Sequence, residues 1–181
     1  MSNQIILWSI LILPFLTLFF MKKDDLKRYL PVGLLSGFAS SIIGDIGVTL
    51  GFWIHQETAY PLYDIMPFDI GLNMVLTMWI FKFTYRKFGI YLVTNIILDI
   101  VFAFFLFQNY FPTKGMMHLV GISPFQTFLI TVMLAIVLYK YQIWQEGIFI
   151  HSERESFSPI LQPAAAKPLL EDQKNEIDDN E

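Results

Sequence analysis

The chain has 181 residues, of which 55% are hydrophobic, 17% aromatic and only 15% charged, against roughly 25% charged in an ordinary soluble domain. Eighteen Phe and so little charge exclude a water-soluble fold, which would have to expose far more apolar surface than the few hundred Å² soluble monomers tolerate. The net charge of −4 resides in the segment from Glu153 onward, which holds eight acidic and three basic residues; the near-neutral remainder excludes nucleic acid as a partner, because such binders present a basic face to phosphates.

No cysteine is present, so a disulfide framework, a thiol nucleophile and a thiolate metal site are excluded as well. The expected fold class is all-α, a polytopic transmembrane helical bundle. Five apolar stretches, Ile5 to Met21, Leu30 to Ile54, Ile65 to Phe83, Phe88 to Phe111 and Ser123 to Tyr141, each approach the ~20 residues a helix needs to cross a ~30 Å hydrocarbon core. Spanning strands would be shorter and strictly alternating, and that pattern is absent.

The first stretch follows MSNQ, which carries no charge, and it lacks both a basic start and an A-x-A end. It is therefore expected as a retained helix and not a cleaved signal. Next come KKDDLKR, with Lys22, Lys23, Lys27 and Arg28, and the second stretch.

That second stretch contains GFASSIIGDIGVTLGF, Gly37 to Phe52. Its small residues Gly37, Ser41, Gly44, Gly47 and Gly51 recur at helical spacing, where neighbouring backbones can approach closely. Asp45 interrupts this run, and an ionised carboxylate at a bilayer centre costs about 2.5–3.5 kcal/mol. Its side chain is expected to face protein or water.

The third and fourth stretches carry polar stripes. Asp69, Asn73 and Thr77 recur every four residues, as do Tyr91, Asn95 and Asp99, so each set lies on one helix face. Counting outward from a turn near Arg86 pairs Asn73 with Asp99 and Thr77 with Asn95. Counting from a loop centred near Tyr60 puts Asp45 level with Val75. Asp45, Asn73 and Asp99 are thus expected to converge near mid-membrane, with Asn95 and Thr77 to one side and Asp69 toward the outside. No Lys, Arg or His lies deep in any stretch, so a shared proton, a bound cation or a ligand's ammonium group is required to balance the two carboxyls.

The loops alternate in charge. Four basic residues follow the first stretch, none lies between His55 and Asp64, Lys82, Arg86 and Lys87 flank the turn after the third, and Lys114 alone follows the fourth. Lys and Arg are retained on the cytoplasmic side, which predicts five spans with the N-terminus outside and the C-terminus inside. Trp8, Trp53, Tyr60 and Tyr63 at one face, and Trp79, Tyr85, Tyr139, Tyr141 and Trp144 at the other, suit the interfacial aromatic belts.

Residues 1–145 are read as the membrane domain and 146–181 as a cytoplasmic tail. The tail has prolines at 159, 163 and 168 and an acidic end, a composition expected to stay disordered.

Enzyme signatures are absent. There is no phosphate-binding loop and no G-x-S-x-G elbow. Tyr63-Asp64 and Gly44-Asp45 do not reproduce the motifs of intramembrane aspartyl proteases. His55, Glu57, Asp64, Asp69 and His118 lack any metal-binding spacing. No catalytic residue, metal or cofactor is assigned.

At MKKDDLKRYLPVGLL (Met21 to Leu35) and WIFKFTYRKFGIYLVTNIILD (Trp79 to Asp99) the chain resembles small multi-span membrane proteins of spore-forming Firmicutes, a family with no assigned activity. The likeness covers about the first 140 residues and implies a bacterial plasma membrane.

Two functions follow as expectations. One is a small transport or ligand-sensing membrane component that holds a proton or cation at Asp45 and Asp99, with Asn73, Asn95 and Asp69 around them. The other is a non-catalytic assembly protein that docks a larger membrane partner through the Gly-rich second helix. Lipid is the expected partner in either case, together with a second copy of the chain or another membrane protein.

Overall fold

The computed structural model describes residues 3–62 and 66–157, those from 149 onward by their backbone alone. Tyr63 and Asp64, the side chain of His151 and the acidic tail beyond 157 lie outside the described residues, as does the expectation of disorder placed on that tail. The chain falls into two compact units, Met1–Trp144 and Gln145–Glu181.

The fold is helical with one short ribbon. Helix α1, Asn3–Thr17, ends in a tighter turn, Leu18–Phe20; α2 is Lys23–Thr49. Strand β1, Trp53–His55, is followed by a wide turn, Phe68–Asn73, that leads into α3, Met74–Thr84. Helix α4, Phe88–Ile100, continues as a second wide segment, Val101–Tyr110, and a last turn, Phe111–Thr113. Strand β2 is Met117–Leu119 and helix α5 is Pro124–Phe157. Four of these, Asn3–Phe20, Lys23–Thr49, Phe88–Thr113 and Pro124–Ile148, are long and apolar enough to cross a membrane. The helix from Phe68 to Thr84 is shorter.

The bounds of α2 differ from the apolar stretch in a way that moves the site. The helix starts early because KDDLKR is itself helical, with Asp24 and Asp25 in the first turn, where carboxylates complement the helix dipole. It stops early because Gly51 takes a left-handed φ of 72°. The amide of Phe52 then bonds to the carbonyl of Gly47 at 2.7 Å and that of Gly51 to Val48 at 3.0 Å, the paired bonds of a Schellman cap. Released from the helix, Trp53 to His55 pairs antiparallel with Met117 to Leu119, with Trp53 opposite Leu119 and His55 opposite Met117. Sequence patterning did not anticipate this ribbon.

Close approach sets the helix packing. An ideal Cβ at Gly71 would sit 2.6 Å from the carbonyl oxygen of Ile10 and from Cα of Leu11, so only glycine lets α1 cross the wide turn before α3. At Gly37 the nearest neighbours are Met74 and the backbone of Asp69 and Ile70. The small-residue face of α2 is therefore engaged inside the chain. Ser41 caps this stretch of α2 internally, donating its hydroxyl to the carbonyl of Gly37 at 2.9 Å. Gly51 serves the turn and has no neighbour within 4 Å of such a Cβ.

Two apolar clusters bracket the first unit. At the end bearing the basic loops, Tyr29, Phe81, Tyr91 and Tyr139 form one core, with the rings of Phe81 and Tyr91 4.8 Å apart. At the ribbon end, Leu7, Trp53, Phe111, Met116 and Met117 form the other. The space between them is the site.

Candidate functional site

The site begins with a hydroxyl and amide layer that joins α2 to α3. Ser36 is fully buried and its Oγ lies 2.9 Å from Thr77 Oγ1. The Asn73 amide donates to Ser40 Oγ at 2.6 Å and to Ser36 Oγ at 3.2 Å. These contacts fix the register of the two helices. Sequence reading placed Asn73 and Thr77 here and missed their partners. The signal was present as Ser36 and Ser40, two hydroxyls one helical turn apart in an apolar run.

The carboxyls lie beside this layer. Asp69 sits in the wide turn before α3, with its Oδ2 3.4 Å from where a Cβ of Gly44 would be. The glycine lets that carboxyl lie flat against α2. Asp99 is next to the start of the second wide segment. Its Oδ2 is buried with no hydrogen-bond partner, and Thr131 of α5 lines the same space. Wide turns bonded i to i+5 are uncommon and recur at functional sites; here each of the two carboxyls is in or next to one.

Helices α4 and α5 close the layer. The Asn95 amide donates to the carbonyl of Tyr91 at 2.8 Å, and the Tyr91 hydroxyl donates to the carbonyl of Ala135 at 2.9 Å. Thr127 and Thr131, one turn apart on α5, turn to the same space. They too were missed, although their spacing in an apolar helix resembles that of Ser36 and Ser40.

Together these residues line a partly open cavity of about 140 Å³ in which Asp69, Asn73, Asn95 and Asp99 sit among mostly apolar side chains. An apolar pocket with a few placed polar groups is the usual form of a small-ligand site. Among the described residues no Lys or Arg lines it. The ribbon closes one end with Trp53 and His55. Trp53 donates from its indole N–H to the carbonyl of Gly44 at 3.0 Å, and its ring occupies the space that a Cβ on Gly47 would need. Burial beneath the ribbon lowers the pKa of His55 from its ordinary 6.5.

Asp45 does not join this group. It is exposed on α2 and is not part of the cavity lining. The register set by Ser36 with Thr77 and Ser40 with Asn73 puts Asp45 level with Phe68, not Val75. That is roughly 10 Å nearer the ribbon end, from seven residues at 1.5 Å rise. The depth count assumed a loop folding symmetrically about Tyr60, whereas α2 ends at Thr49 and the next helical turn begins at Phe68. Asp69 occupies the place beside Asp99's cavity that Asp45 was expected to fill.

The polar groups near the ribbon have other employment. Glu57 accepts from the side-chain amides of Asn3 at 2.6 Å and Gln4 at 3.0 Å, which fastens the loop to α1. His118 lies within the ribbon opposite Ile54. Among the described residues no three His, Asp or Glu side chains gather as a metal-ligand set. No family model, curated protein or solved structure matches this chain.

Proposed function

We propose that the chain is a five-span, multi-pass protein of a bacterial plasma membrane, N-terminus outside and tail in the cytoplasm, acting as a small transport or ligand-sensing component. Its cavity holds a proton or a cation on Asp69 and Asp99. The observation that carries this reading is the cavity itself: two carboxyls converge on it and no Lys or Arg lines it among the described residues.

Several features support the membrane setting. Four helices meet the length and hydropathy of a membrane span. Phe19, Phe20, Phe38 and Phe83 are exposed, as lipid-facing side chains would be. The fifth crossing is assigned to Phe68–Thr84, which is short but packs against α1 and α2. The basic residues of the loops after α1 and α3 set the orientation by the positive-inside rule.

Charge balance then gives the site its chemistry. Inside a bilayer, ionisable side chains face a polar interior and pair with one another or with a bound ion. Among the described residues Asp69 and Asp99 have no Lys or Arg beside them in the cavity, and burial holds the one imidazole of its lining, His55, toward the neutral form, so a proton or an external cation completes them. Asn73 ties the wide turn before α3 to α2 beside that charge, and Asn95, bonded to Tyr91 of its own helix, lines the same cavity. The assembly alternative draws less support, because the glycine face of α2 is packed against Met74, Met78 and Asp69 of the same chain.

Dicyclohexylcarbodiimide, an apolar reagent that modifies protonated carboxyls from within membranes, tests this reading. Peptide mapping of protein treated in lipid is expected to find the adduct on Asp69 or Asp99, with labelling slowed at alkaline pH. Labelling confined to exposed carboxyls such as Asp45 would contradict it.

A further inference from the structure

The polar lining of the cavity is lopsided in its hydrogen bonding. Several of its N–H and O–H donors are engaged within the protein. The Trp53 indole donates to Gly44, the Asn73 amide to Ser36 and Ser40, and the Asn95 amide to the carbonyl of Tyr91. On α5, Thr127 donates to the carbonyl of Ser123 at 3.3 Å. The Thr131 hydroxyl donates to the carbonyl of Phe128 at 2.9 Å.

The lining also holds four acceptor groups, the carboxyls of Asp69 and Asp99 and the side-chain carbonyls of Asn73 and Asn95, with the His55 imidazole at the ribbon end. One of them, Asp99 Oδ2, is buried with no partner. A buried acceptor left unmet is destabilising, and more so when it is charged. The complement to such a lining is a positively charged N–H donor.

One wall of the cavity is aromatic, lined by Phe68, Phe102 and Phe107. Phe68 and Phe102 stack with centroids 4.4 Å apart, and Phe102 meets Phe107 edge to face, also at 4.4 Å. Ring faces attract cations and pack apolar groups. A hard metal ion takes six or more oxygen ligands and would leave this wall without a role. Size sets the remaining limit: the cavity is about 140 Å³, close to the ~150 Å³ that admits benzene in an engineered protein core.

We propose that the ligand of this cavity is a small primary ammonium compound with a compact apolar body, its N–H groups donating to Asp69, Asp99 and the Asn95 carbonyl and its body resting on Phe68, Phe102 and Phe107. This rests on the carboxyl-lined cavity being a cation site and adds the class of cation. A primary ammonium is favoured over a quaternary one because only the former has N–H bonds to give to those acceptors.

Titration calorimetry on the full chain in lipid nanodiscs at neutral pH, with n-butylammonium, tetramethylammonium and n-butanol as probes, tests the assignment. The expected result is binding of n-butylammonium, with the other two weaker by about tenfold or more. Asp99→Asn is expected to weaken n-butylammonium by about tenfold or more, while Asp45→Asn leaves it unchanged. A second measurement needs no variant: n-butylammonium should protect Asp69 or Asp99 of the native protein from the carbodiimide. Equal binding of n-butanol or tetramethylammonium overturns the proposal. So does absence of both heat and protection. If amines fail while the carbodiimide still modifies Asp69 or Asp99, the amine assignment falls and the proton or cation site stands; if neither carboxyl is modified, both fall.

Discussion

Two aspartates in or next to a wide segment behave differently from a third that the amino-acid pattern made more conspicuous. Asp45 attracts notice because it stands alone among glycines, yet it is exposed and its replacement should be mild. Asp45→Asn is expected to shift unfolding stability by no more than about 0.5 kcal/mol, the usual range for exposed positions. Ser36→Ala, by contrast, removes a fully buried oxygen shared by Thr77 and Asn73, and a loss of about 1–2 kcal/mol is expected. Thermal melts of both variants in one lipid composition check the pair. His55 gives a pH dependence whose sign follows from burial. Its folded pKa lies below the ordinary 6.5, so the unfolded chain takes up the proton first, and stability should fall as pH drops below 6.5 and through the folded value. His55→Gln should flatten that part of the profile. Most of the site was legible one residue at a time, as polar positions at four-residue spacing. Asp45 was legible as a residue and misplaced in depth, because depth depends on where helices end.

Helix ends were the weak point of the reading, and the physical reason lies in the caps. The apolar run of the second helix continues to Ile54, but Gly51 and the bonds from Phe52 and Gly51 terminate α2 at Thr49. The residues left over enter a ribbon whose second strand, Met117–Leu119, is far away in sequence. No local turn signal announces such a pairing, since hairpin cues depend on adjacent strands. The wide turns at Phe68–Asn73 and Val101–Tyr110 were equally silent, because periodicity does not separate them from ordinary helix. Glycine gives the test at this scale. Gly71→Ala should cost about 1–3 kcal/mol, as overpacking does, because the new Cβ meets the backbone of α1 at 2.6 Å. Gly89→Ala, in α4 with nothing within 4 Å of the added carbon, should instead stabilise by up to about 1 kcal/mol from helix propensity. Denaturation of the two variants side by side would show whether the crossing of α1 over the wide turn is as tight as described.

The first unit gathers Asp69, Asn73, Asn95 and Asp99 around one cavity and carries aromatic side chains both in that cavity's lining and in the clusters at its two ends. The proposed threading is checked simply, since the chain has no native cysteine. Gln56→Cys is expected to react with a membrane-impermeant maleimide on intact cells and Lys87→Cys only after lysis; the reverse pattern would invert the orientation. The central claim is that Asp69 and Asp99 act as one charge-balanced site. Carboxyl infrared difference titration in lipid, comparing wild type with Asp69→Asn and Asp99→Asn, tests it most directly. A protonation change in which each substitution alters the signal of the remaining aspartate is the predicted result. Two carboxyl bands that never titrate, or that titrate without regard to one another, would contradict it.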